Sequence, residues 1–270
     1  MNSNNGDIKE LESEMLKPEA VEVLTPEEAA KLPVLEEMMK AGLMYGRKKS
    51  KTNPKMKPYV YAVRNGMAIF DLTKTLKNLE TAAAFLKETA KKGGKILFVG
   101  TQPAARDLVK TIAEEYGQFF VNERWLGGIL TNFKTVSARL QYFNDTRADA
   151  AAGRLDKYTK KERLMIDREL LKLNTFFGGV SAMTGLPAAM VLVNPVLHET
   201  ALREAKRTKV PVVSLMSSDA DPETAEYPVP CNCNAKPALA WIFDKLNQAL
   251  KEAKAEMGAA QAPKMQEAKS

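Results

Sequence analysis

An α/β fold built on a doubly wound parallel sheet is predicted by three features of this 270-residue sequence. Short, continuously apolar runs such as Lys95-Ile96-Leu97-Phe98-Val99 have the composition of strands buried on both faces. Each is followed by a segment whose apolar positions recur at helical spacing. Short loops join the units, and repeated βα units of this kind close into a parallel sheet with helices on both faces.

The elements follow in order. Residues 1–24 are polar with little periodicity and read as a mobile arm; residues 1–33 form an acidic N-terminal region that includes a short helix. Thr25-Pro26-Glu27-Glu28 starts that helix, with Thr as N-cap, Pro at the first position and Glu positioned for a capping box. A second helix, Val34 to Ala41, ends at Gly42. The stretch after it reads as an ordered loop leading to strand Tyr59 to Val63, a turn at Arg64-Asn65-Gly66 and strand Met67 to Phe70. Helix Thr73 to Lys92 places Leu76, Leu79, Ala83 and Leu86 on one face and stops at Gly93-Gly94. Strand 95–99, helix Pro103 to Tyr116 and strand Gln118 to Val121 come next. Strand Ala189 to Val193, helix Leu197 to Thr208, strand Val210 to Met216 and helix Lys236 to Lys254 resume the pattern. The sheet domain therefore spans 34–121 and 187–254, and 255–270 reads as a flexible tail.

Residues 122–186 interrupt this alternation. Phe133, Val136, Leu140 and Phe143, then Ile166, Leu170, Leu173 and Phe177, follow heptad seams on either side of a turn at Ala151-Ala152-Gly153. They predict an antiparallel coiled-coil hairpin projecting from the sheet, its two seams packed mainly on each other. Arg139, Arg147, Arg154, Lys157, Lys160, Lys161, Arg163 and Arg168 fall on its outer faces.

Charge is unevenly shared. The net charge is +7, yet residues 1–33 hold eight acids against three lysines, a balance of −5, which leaves +12 on the remainder. A basic body of this kind points to a polyanionic partner, because each phosphate met by Lys or Arg releases counterions. No apolar run approaches the ~20 residues of a membrane span, and no hydrophobic signal or Arg-rich transit segment opens the chain, so the expected compartment is the cytoplasm. The two cysteines, in Cys231-Asn232-Cys233, are too close for an ordinary disulfide and too few for a closed zinc site.

Catalytic constellations are thin. Neither a dinucleotide nor a P-loop glycine motif is present, and Gly100, which could cradle a phosphate at a helix start, is read as allowing close strand–helix packing. His198, the only histidine, lies at a helix start and is read as solvated rather than as a general base. Asp219 and Asp221 could hold Mg²⁺, but Asp221-Pro222-Glu223 is also a helix N-cap, which is the reading taken.

The informative feature is Arg47 to Val60, RKKSKTNPKMKPYV, with Arg47, Lys48, Lys49, Lys51, Lys55 and Lys57, followed by Arg64 and no acid before Asp71. Tyr45, Tyr59 and Tyr61 are interleaved, as rings that can pack on sugars or bases while lysines meet phosphates. Trp125-Leu126-Gly127-Gly128 with Thr131-Asn132-Phe133 reads as a rigid hinge and docking surface at the hairpin base. The expected RNA-contacting set is Arg47, Lys48, Lys49, Lys51, Lys55, Lys57, Tyr59, Arg64, Arg124, Trp125, Asn132 and Lys134.

NPKMKPYV, RNGMAIFDLTKT, ILFVGT, FVNERWLGGILTNFKT, GLPAAMVLVNP, ALREAKRTKVPVVSL and DADPETAEYPVP, between Val34 and Leu250, resemble in that order the signature segments of the bacterial-type small-subunit ribosomal protein two family. The resemblance implies a flavodoxin-like sheet domain with a protruding coiled-coil hairpin. It implies a non-enzymatic constituent of the small ribosomal subunit, bound to ribosomal RNA on the solvent side near the head and body junction. Neighbouring ribosomal proteins, including the large messenger-RNA-recruiting one, are the implied protein partners; no cofactor, metal, membrane or small-molecule substrate is expected. Where the family usually has His-Phe-Gly-His this chain has Met44-Tyr45-Gly46-Arg47, and Asn194, Ser217 and Cys231-Asn232-Cys233-Asn234 stand where family carboxylates are common. Two other readings differ in class. A nucleotide-binding enzyme of the same fold would retain nucleotide on purification, and a protein-interaction adaptor would be absent from salt-washed small subunits.

Overall fold

The computed structural model of the chain describes residues 26–267. The elements run α1 (Pro26–Lys40), β1 (Tyr45–Lys48), β2 (Val60–Arg64), β3 (Met67–Phe70), α2 (Leu72–Lys91), β4 (Ile96–Val99), α3 (Pro103–Glu115) and β5 (Phe119–Val121). They continue as α4 (Phe133–Ala151), α5 (Lys160–Phe177), β6 (Ala189–Val193), α6 (Glu199–Thr208), β7 (Val212–Met216), β8 (Tyr227–Pro230) and α7 (Lys236–Glu267). Five strands form a parallel sheet in the order β5-β4-β6-β7-β8, and a small antiparallel sheet has the order β1-β3-β2.

Strand alternation divides the apolar residues between two cores. Ile96, Phe98, Val191, Val193, Val213 and Leu215 face a layer built from α1, α2, α3 and α7. Leu97, Val99, Met190, Leu192 and Val212 face the opposite way, against α6 and the near parts of α4 and α5. Every residue of β4, β6 and β7 is buried, which is why these strands read as continuous apolar runs. A Cβ on Gly100 would lie 2.9 Å from Val109 and 3.1 Å from Ala105, so this glycine does let β4 and α3 pack closely. Asn65 and Gly66, with φ of 48° and 74°, form the tight turn between β2 and β3 that right-handed strand twist favours.

Four expectations change. The two short helices before Gly42 are one helix, α1, which runs through Pro33; a proline's φ is helical, and its missing N–H removes only one bond. The Thr25 cap lies outside the described residues. β1 and β8 are strands that the sequence did not reveal, and the basic loop folds as β1 and two 3₁₀ turns, Lys49–Lys51 and Pro54–Tyr59. β8 contains Pro228 and Pro230, which read as strand breakers, but it is an edge strand. Its outward carbonyls are met from α2: Thr75 Oγ1 donates to Pro230 O at 2.8 Å and Asn78 Nδ2 to Pro228 O at 2.9 Å. Finally, the heptad positions Leu140, Phe143, Leu173 and Phe177 do not form a separate core, because they are buried in the same cluster as Leu97, Val99 and Leu192. The last helix also continues past Lys254, to Glu267.

Candidate nucleic-acid interface

In an open parallel sheet the natural ligand position is beyond the carboxyl ends of the strands, at the point where strand order reverses. Here that point lies between β4 and β6, because the chain leaves β4 toward β5 on one side and resumes with β6 on the other. His198 occupies it. Its Nδ1–H donates to Asn194 O at 3.0 Å, which leaves Nε2 to accept from Thr101 Oγ1 at 3.0 Å. The ring is 4 % exposed, so the solvated reading is overturned. Burial pushes its pKa below the ordinary value, against the opposing effect of the backbone bonds, and the imidazole is neutral at pH 7. A neutral ring thus ties the loop after β6 to the end of β4.

The next strand end, after β7, is covered by the basic segment. Ser218, fully buried, accepts from Arg47 N–H through its hydroxyl at 2.8 Å and from Asn53 N–H through its carbonyl at 2.8 Å. Met56 is fully buried with Phe70, Met216 and Ala220, and Tyr59 packs half-buried against them. Asn53 caps the second 3₁₀ turn by accepting from Lys55 N–H at 3.0 Å. Acids absent from the local sequence arrive from the strand end: Arg47 lies 3.5 Å from Asp219, and Lys55 meets Asp221 at 2.9 Å and also Glu223. Those two hydrogen bonds, Glu223 first, raise the Lys55 pKa, and Lys55 lowers that of Asp221. Asp221 also caps the short turn Pro222–Thr224, accepting from Glu223 N–H at 3.0 Å, as its sequence context indicated.

The twelve expected residues therefore separate. Lys48, Lys49, Lys51 and Lys57 are exposed and have no ion pair among the described residues. Arg47 and Lys55 are engaged by carboxylates, and Arg64 is half-buried on β2. Arg124, Asn132 and Lys134 are exposed on the segment after β5, with Trp125 half-buried among them. Ser218 and the segment after β5 leave the same edge of the sheet three strand spacings apart, about 14 Å.

One group that holds this second segment escaped the sequence reading. Glu204 of α6 is 7 % exposed, and its carboxylate accepts from Trp125 Nε1 at 3.0 Å, from Gly128 N–H at 2.8 Å and from Leu130 N–H at 3.1 Å. Thr131 donates to it twice, from N–H at 3.3 Å and from its hydroxyl at 3.2 Å. Burial alone would push this carboxyl up, but the converging donors outweigh it and hold the pKa below the ordinary value. A signal existed: Glu204 stands in the buried phase of its helix, between Ala201 and Ala205.

Cys231 and Cys233 are core thiols 3.8 Å apart; the hydrogen bond between them and burial hold the Cys233 pKa well above its ordinary value. Among the described residues no group of three or more His, Cys, Asp and Glu side chains could hold a metal ion, and no helix is long and apolar enough to cross a membrane.

A parallel-sheet scaffold whose exposed cations lie on anchored surface segments offers a polyanion a binding surface. The family described as Ribosomal protein S2 matches residues 38–253. A protein of Roseiflexus sp. named small ribosomal subunit protein uS2 is 40% identical over 221 residues, covering 82% of this chain and 84% of its own. A protein of the same name from Coprothermobacter proteolyticus is 38% identical over 218 residues, covering 81% of each chain. The chain belongs to the ribosomal protein S2 family.

Proposed function

We propose that this chain, as a structural and non-enzymatic constituent of the small ribosomal subunit, meets ribosomal RNA through phosphate and shape contacts along the carboxyl edge of its sheet. The observation that carries this reading is the set Lys48, Lys49, Lys51 and Lys57, exposed and unpaired on a segment whose backbone is fixed to Ser218 and Met56. Cations held on a rigid frame present charge without the ordering cost of a free loop. Base-edge readout is not required, because an A-form major groove does not admit side chains. Arg64, Arg124, Asn132 and Lys134 extend the same surface, with Tyr59 and Trp125 as half-buried supports, while Arg47 and Lys55 serve mainly to dock the segment.

In this reading α4 and α5 form an antiparallel coiled-coil hairpin whose far part projects from the domain. Arg139 of α4 pairs with Glu169 of α5 at 3.6 Å, and Phe133, Val136 and Leu170 are half-buried along the seam. The hairpin would meet neighbouring ribosomal proteins, the large messenger-RNA-recruiting one among the candidates. The acidic segment before Pro26 lies outside the described residues and is assigned a basic protein partner on charge alone.

The test is the salt dependence of binding to small-subunit ribosomal RNA by the full chain. Changing Lys48, Lys49, Lys51 and Lys57 together to Gln should reduce the slope of log K against log salt by roughly 0.7–0.9 per lost contact. An unchanged slope removes this segment from the RNA surface.

A further inference from the structure

We infer that Glu204 is a positioning residue for RNA binding: an internal anion that fixes the 124–134 segment in its RNA-facing form. This rests on the RNA reading above. Backbone N–H groups converging from a glycine-rich turn at the start of a helix make an anion nest, the kind of site that elsewhere takes a phosphate. Here Gly128, Leu130 and Thr131 form that nest, and Trp125 and the Thr131 hydroxyl complete it. Its anion is supplied from within, by a carboxylate on a helix more than seventy residues away in sequence.

Two consequences follow from the geometry. First, the nest is saturated: both Glu204 oxygens are used, so no external phosphate is needed to order the turn, and the segment is shaped before RNA arrives. Second, five donors directed at its two oxygens offset the buried charge, which weakens its repulsion of a phosphate above the segment. Arg124, Asn132 and Lys134 are exposed on the segment that Glu204 pins, and they are the side chains whose placement depends on it. Lys206 or Arg203, exposed neighbours on the same helix, could not substitute, because the nest presents only donors.

Glu204→Gln is the informative change, since glutamine keeps the shape but puts an NH₂ group where donors converge. It is made in a Trp241→Phe background, which leaves Trp125 as the only indole. In the full chain the Trp125 fluorescence should become more accessible to acrylamide. Affinity for a small-subunit ribosomal RNA transcript should fall about tenfold, with little change for an unrelated RNA of equal length, because positioned contacts are lost while bulk charge is kept. Equal losses on both RNAs, or wild-type affinity on the ribosomal transcript, overturn the inference. If Glu204→Gln does not fold, Thr131→Val removes one donor at an exposed position and should cost about threefold on the ribosomal transcript alone; no loss overturns the inference equally. Loss of affinity in the four-lysine variant with none in Glu204→Gln would sink the role of Glu204 and leave the RNA reading standing. Salt-independent binding by the wild-type chain would sink both.

Discussion

The segments 47–59 and 122–134 both lie at the carboxyl end of the parallel sheet, the first covering the end of β7 and the second continuing from β5, and each is held by side chains from a distant part of the chain, yet they are held by opposite means. The first rests on a buried serine, one buried methionine and charge pairs in which Lys55 and its partners are open to solvent. The second rests on a single buried carboxylate that gathers five donors, and it runs directly into α4, whose Leu140 enters the sheet core. Exposed pairs are screened by salt and contribute little to stability, whereas removing a buried acceptor leaves unpaired donors at full cost. The difference teaches that the charged segment is free to spend its cations on a partner, while the glycine-rich one is part of the folded core.

The strongest way to break that contrast is at α4. Leu140→Asp should destabilise the whole sheet domain by about 3–5 kcal/mol, because a charge is placed among Leu97, Val99 and Leu192. Ile166→Asp, at a half-buried seam position on α5 that is not part of this cluster, should loosen the helical pair and leave the main melting transition nearly unchanged. Calorimetry on the two variants separates them. Equal losses would mean that the helical pair is core throughout its length.

Next in size, Glu204→Ala should lower unfolding free energy by about 2–4 kcal/mol in a urea titration, through donors left without an acceptor. Lys55→Ala should leave the midpoint within error. Reversal of that order would show that the basic segment, not the glycine-rich one, is structurally committed.

Much of this was legible in the sequence, and the failures have physical causes. β4, β6 and β7 could be placed because strands buried on both faces have no polar residue to blur them. Gly93 ends α2 where the sequence placed its stop, and the alternation of elements sufficed for a parallel sheet, whereas the Asp71 cap emerged only with the fold. β8 was hidden because proline removes the very donors by which a strand is recognised, and only its edge position makes that harmless. His198 and Glu204 were missed for a different reason: Thr101, which meets His198, and residues 125–131, which meet Glu204, are far away in sequence, and a polar side chain at or in a helix is solvated by default until tertiary packing supplies a partner. The basic segment was found by charge, but which of its cations are free depends on Asp219, Asp221 and Glu223, brought in by the fold.

A smaller effect is the pH profile, which should resolve the buried groups in two windows. His198 has a folded pKa below its unfolded value near 6.5, so the stability it confers is full above that value and declines as pH falls through it toward the folded pKa. Glu204 is also depressed in the fold, so its contribution is intact down to the ordinary carboxylate value near 4.3 and is lost below that. Stability measured from pH 8 to pH 3 should therefore fall in two steps. His198→Gln should remove the upper step and Glu204→Gln the lower one. A single step common to both variants would show that neither group titrates as its surroundings require.

The smallest effect, residue by residue, lies within the basic segment and sharpens the comparison most. A lysine already paired with a carboxylate has that partner in place of condensed counterion exchange with RNA, so its loss should alter the salt slope little. Lys49, Lys51 or Lys57 changed singly to Gln should each lower the slope by roughly 0.7–0.9 if it meets a phosphate. Lys55→Gln should leave the slope where it was, since Asp221 and Glu223 already hold that ammonium. Arg47→Gln belongs with Lys55, given its neighbour Asp219. The opposite result, a slope change for Lys55 equal to that for Lys57, would mean that RNA strips Lys55 from its acids on binding. In that case the docking of the segment onto the strand end would be a resting arrangement that the assembled subunit undoes, and Glu223→Gln, which weakens the competitor, should then tighten RNA binding at low salt.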